Sequence, residues 1–141
     1  MKRLKRTAAV CVAVAALCCP PVPAAARGGD GWHEMSGKME ETTPGRRVLR
    51  MRDCRALSID SMRVDTVTVY EIVCRVAARK TAAWAGITER SIGRSLGFVY
   101  GGKVVCRPFV HMRVESGRFS VTGTDGRLMR SLYEAMDKRG E

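Results

Sequence analysis

Cys106 and His111 are the nearest thing to a reactive pair in this 141-residue chain. A thiol beside an imidazole is what a cysteine nucleophile and its general base require. The two lie five residues apart in a stretch that reads as extended, so their side chains fall on opposite faces. The other histidine, His33, stands far upstream. Zinc has no better seat, because Cys54, Cys74, Cys106 and the two histidines are scattered and no C-x-x-C spacing occurs. The acidic residues are spread singly, which leaves paired-carboxylate catalysis without a location. Gly97-Phe-Val-Tyr-Gly-Gly102-Lys103 has the spacing of a phosphate-binding loop. That chemistry also needs a Ser or Thr next, to reach Mg²⁺, and a helix whose first amides face the phosphates. Val104 follows instead, in an apolar run that reads as strand. Arg94, Gly97, Phe98 and Val99 echo an RNA-binding strand, but Gly101 replaces its second base-stacking aromatic. No catalytic residue, cofactor, metal or nucleic acid is therefore expected, and the protein reads as a non-enzymatic binding domain.

The elements that hold these residues centre on a hairpin. Two apolar runs, 96–100 and 103–106, flank Gly101-Gly102. A two-residue turn needs positive φ, which glycine adopts without steric cost. Upstream, 66–77 is rich in β-branched residues and predicts a strand with Tyr70, Ile72, Cys74 and Val76 on its core face. Residues 47–57 alternate and predict another strand, whereas 58–65 are polar and read as a turn. Residues 78–92 predict a helix with Ala82, Ala83, Trp84, Ala85 and Ile87 inward, closed by Gly93. Pro108 interrupts the strand after the hairpin, which argues for a sheet edge, since proline cannot donate to a ladder. Residues 109–114 are expected to continue extended, Ser116-Gly117 to turn, and 118–122 to form a last short strand. A final helix over 126–139, capped by Thr124 or Asp125, turns Leu128, Leu132, Ala135 and Met136 inward. The fold class is α+β: a small, mostly antiparallel sheet of four to five strands with two helices on one face.

The N-terminus carries a different signal. Lys2, Arg3, Lys5 and Arg6 precede an apolar run from Thr7 to Cys19, and Ala24-Ala25-Ala26 follows. This is the pattern of a secretory signal peptide over 1–26, cleaved after Ala26. The run is too short for a membrane span. Neither Cys18, after Leu17, nor Cys19, after Cys18, has the small preceding residue of a lipoprotein signal. Residues 27–46 are glycine-rich with few apolar residues, and read as a flexible linker in which Trp32 and His33 stand alone and Trp32 is expected to be mobile. Residues 47–140 form the domain. The chain has 25 Lys and Arg against 14 Asp and Glu; with four basic and no acidic residues in 1–26, the remainder is +7. Such a charge attracts anionic surfaces. Cys54, Cys74 and Cys106 leave room for one disulfide and one thiol.

From Tyr70 to Gly123 the chain resembles the head subdomain of the first periplasmic domain of the SecD/SecDF protein-export family. Trp84 stands at that family's helix aromatic, Thr88 and Gly93 match, and Ser91 replaces an asparagine. Leu96-Gly-Phe-Val-Tyr-Gly-Gly-Lys-Val104 follows its strand, turn and strand. Cys106-Arg-Pro-Phe-Val110 keeps the proline, and Ser120-Val-Thr-Gly123 matches the last strand. Gly101 stands for the turn aspartate and Arg107 for the small residue before proline. No transmembrane segment is expected in the mature chain. The resemblance thus implies the fold and a chain-binding role, not translocation driven by a proton gradient.

The expected protein is exported, to the periplasm or beyond, and contacts unfolded or translocating polypeptide or an envelope protein. The expected site is Pro108, Phe109, Met112 and Val114, acting by edge-strand addition. The other reading is an accessory envelope module held at an anionic membrane surface by its basic charge.

Overall fold

The computed structural model describes residues 22–23, 29–36 and 43–139. The expected signal peptide lies outside these apart from Val22–Pro23. Eight strands and two α-helices follow in the order β1 (Val22–Pro23), β2 (Gly31–Ser36), β3 (Thr43–Arg50), β4 (Cys54–Val64), β5 (Val67–Val76), α1 (Thr81–Arg90), β6 (Leu96–Tyr100), β7 (Lys103–Cys106), β8 (Arg118–Gly123) and α2 (Gly126–Arg139). Short 3-10 turns at Met51–Asp53 and Ala78–Lys80 precede β4 and α1. Every pairing is antiparallel. The α+β class holds, and the strands divide between two sheets. The first sheet has the order β1-β7-β6-β2-β3 and the second β4-β5-β8.

The alternation of β5 sets the second sheet. Ile72, Cys74 and Val76 are buried, as the sequence predicts for that face, and Arg75 is exposed. Register places Cys54 and Ala56 of β4, and Phe119 and Val121 of β8, on the same inner face. In the first sheet Trp32 opposes Phe98, and Phe98 opposes Cys106. The two inner faces and α1 meet in a cluster of four rings. Trp32 lies 5.1 Å from Phe98, 5.2 Å from Phe119 and 5.6 Å from Trp84 between ring centroids, and Trp84 lies 5.4 Å from Phe119. Tilted and edge-on pairs at such distances add about 0.5–1.5 kcal/mol each beyond area burial. α2 packs on β4, β5 and β8 through Met129, Leu132 and Met136, all fully buried. Asp125 caps it, its carboxylate accepting from the Leu128 amide at 3.1 Å.

Three expectations change. Residues 27–46 do not read as a flexible linker where they are described: Gly31–Ser36 is a strand between β3 and β6, and Trp32 is wholly buried. His33 is buried too, its ring nitrogens 3.0 Å from the Gly45 carbonyl and 2.8 Å from that of Gly29. The physical reason is the hydrophobic demand of a large ring, which draws its backbone into the ladder with Leu49 and Phe98. Residues 58–64 are strand rather than turn, because β4 pairs with β5 out to Val64↔Val67. Ala82 and Ala83 of α1 face outward, while Trp84, Ala85, Ile87 and Thr88 are buried. The Gly101-Gly102 turn is as expected, with φ of 62° and 80°, and the Gly101 amide donates to Asp30 at 2.9 Å.

Candidate functional site

The segment after β7 leaves regular structure at Arg107 and runs to Gly117 with a single bridge, Ser95↔Phe109. Its backbone is fixed on one side. The Leu96 amide donates to the Pro108 carbonyl at 3.1 Å, the Val110 amide to that of Arg94 at 2.9 Å, and the Gly93 amide to that of Val110 at 3.0 Å. Further along, the Val114 amide donates to the Thr88 hydroxyl at 2.9 Å, and that hydroxyl donates to the Ala85 carbonyl at 3.0 Å. Arg113 bridges Glu89 and Glu115, and these two bonds raise its pKa further, the Glu115 contact most. The segment is thus fastened to the C-terminal half of α1.

The two bonds flanking the Ser95–Phe109 bridge make it a non-hydrogen-bonded pair, so Phe109's own N–H and C=O point away from Ser95. They face the side of the β7 line on which Val22 and Pro23 pair with Val104 and Lys103. Of the four expected site residues, Pro108 and Val114 are buried. Phe109 is 39% exposed and Met112 53% exposed. Phe109 stands edge-on to His111, 5.0 Å between centroids.

Beneath this segment lies a small apolar pocket that sequence reasoning missed. Pro108, Met112 and Val114 line it on one side and Trp32, Trp84 and Leu96 on another. The indole N–H groups of Trp32 and Trp84 are buried without a hydrogen-bond partner among the described residues. Trp84 was legible as a helix aromatic; Trp32 carried no periodic signal, so the pocket's floor could not be assembled from sequence.

The candidate chemistry weighed from sequence is not assembled. Cys106 is buried and His111 is exposed. Lys103 opens a strand, not a helix. Cys54 and Cys74 are buried free thiols, and Cys106 is buried beside them in the core. Burial, and secondarily Asp53, pushes the Cys54 thiol above the usual range; burial, with Cys54, Cys106 and Glu71 behind it, does the same to Cys74. Among the described residues no cluster of three potential metal ligands occurs, and no helix is long and apolar enough to cross a membrane.

No protein-family profile matches the chain, and no curated protein matches it in sequence. Two solved structures do. One is a crystal structure of SecDF in a super-membrane-facing form, with TM-score 0.50, 15% identity, and 71% of this chain against 13% of that chain covered. The other is a structure of a membrane component, SecDF, that enhances protein export, with TM-score 0.51, 15% identity, and 71% against 44% covered. The chain spans less than half the length of either. At this identity the likeness is one of fold: this is a SecDF-like fold, of a kind found in a protein-export component.

Proposed function

We propose that this is an exported, non-enzymatic domain that binds extended polypeptide by strand addition along the line from β7 into Pro108–Val114. The observation that carries the reading is Phe109. Its backbone donor and acceptor face outward from a one-sided bridge, which is the arrangement an incoming strand completes. Phe109 and Met112, the exposed apolar side chains of the segment, supply side-chain contacts, while buried Pro108 and Val114 hold the backbone in place. The pairing of Val22–Pro23 with β7 supports the choice of edge. If the signal peptide is cleaved after Ala26, that two-residue strand leaves with it and the edge opens. The likeness to a protein that enhances export supports polypeptide as the class of partner.

Titration with unfolded reporter peptides tests the site. The unchanged protein is expected to bind, and Phe109→Asp to weaken binding about tenfold or more, because a carboxylate would be desolvated against apolar side chains. Absence of binding to high micromolar peptide, or an unaltered affinity in the variant, sinks the assignment.

A further inference from the structure

We infer a second binding surface, independent of the strand edge: the outward face of the β4-β5-β8 sheet takes the phosphate groups of an anionic lipid surface on a row of three arginines. Arg55 opposes Arg75, and Arg75 opposes Arg118, in register across all three strands. All three are exposed, and the residues on either side of them in each strand are turned inward or away. None forms an ion pair among the described residues; the four ion pairs found there involve Arg46, Arg79 and Arg113 instead. With strands about 4.8 Å apart, the three guanidinium stems start within about 10 Å of one another. Like charges placed directly opposite destabilise a sheet. A row of three thus works against the fold unless an anion meets it. Guanidinium is the side chain suited to phosphate oxygens, which it engages two at a time.

The rest of the face narrows the partner. Ser58, Val73 and Ser120 form the next row, and Asp60, Glu71 and Thr122 the one after; on β8 Ser120 and Thr122 are buried, and Glu71 accepts from the Ser120 hydroxyl at 2.7 Å. The acidic pair confines the cationic site to the arginine end. At the far end of the same face Met62, Val64 and Val67 are exposed. Cations and small apolar side chains on one face suit a lipid headgroup layer. A single-stranded nucleic acid would ask for exposed aromatic rings to stack on, and the outward rows contain none.

The test is co-sedimentation of the full chain with phosphatidylcholine vesicles, with and without phosphatidylglycerol. It compares the unchanged protein, the triple variant Arg55→Gln, Arg75→Gln, Arg118→Gln, and a charge-matched control, Arg63→Gln, Arg127→Gln, Arg130→Gln. Each row arginine is expected to contribute about fivefold, so the row variant loses about a hundredfold in its preference for anionic vesicles. The control is expected to lose far less. Thermal unfolding of the row variant is expected at the same temperature or higher, since a repulsion has been removed. Equal losses in the two variants would reduce the surface to net charge and overturn the site. A lower melting temperature in the row variant would give the arginines a structural role and overturn it equally. Stronger row-dependent binding of a single-stranded oligonucleotide than of vesicles would overturn the choice of partner.

Discussion

Trp32 shows what one side chain can decide. It sits among glycines and polar residues, with no alternation around it, because β2 bulges between Trp32 and His33 and again before Met35. Its burial comes from Leu49, Phe98 and Phe119, contacts distant in sequence that no local pattern announces. His33 follows from it: once β2 is in the sheet, its ring lies between the Gly29 and Gly45 carbonyls. The cysteines were less legible. Three such residues left room for one disulfide; all three are buried, Cys54 and Cys74 as free thiols. For Cys54 and Cys74 the folded state holds the proton more tightly than the unfolded chain does. The unfolded chain therefore loses protons first as pH rises, and the thiol contribution to stability is full below the ordinary thiol range and declines above about pH 8.5. Urea unfolding across that range should show stability falling, and alanine at Cys74 should flatten the decline. Thiol reagent should leave Cys54 and Cys74 unmodified in the native protein until unfolding exposes them.

Among elements, the hairpin, β5, β8 and α2 were readable, because each has a local signature: glycines at positive φ, a β-branched run, a turn before a short strand, a capped stripe. β4 was not. It is an outer strand of its sheet, and the register shift between Ala56 and Ser58 breaks its alternation; only residues 62–64 run on past β8, whose last pair is Tyr70↔Gly123. With the alternation broken, the polar Ser58, Asp60 and Ser61 look like a turn. β2 was missed for the opposite reason, being central with an irregular register. Gly31 gives that strand a direct test. Its φ is +138°, and a Cβ there would strike the Leu49 carbonyl and approach the Met51 amide. Gly93 also has positive φ, at +85°, but open space around it. Gly31→Ala should cost about 3 kcal/mol or more, and Gly93→Ala about 1 kcal/mol, in urea unfolding. Similar small losses at both would mean that β2 is not held in the ladder.

At the scale of the molecule, the two sheets and two helices of the described residues close around one ring cluster, and the proposed surfaces lie at its margins. The proposed strand-addition line runs through Pro108–Val114, beyond the stretch of β7 that pairs with β1, and the proposed cationic row lies on the outer face of the second sheet. The first was suggested in sequence by Pro108. The row was not, since Arg55, Arg75 and Arg118 meet only through strand register. The pocket beneath the edge needed Trp32, whose strand no local pattern marks. Strand addition makes a specific demand on the Phe109 amide, which points outward and makes no described backbone bond. Amide hydrogen exchange at Phe109, with and without saturating unfolded peptide, reads that bond directly. Strand addition predicts exchange slowed at least tenfold on binding. An unchanged Phe109 rate while peptide is bound would contradict it.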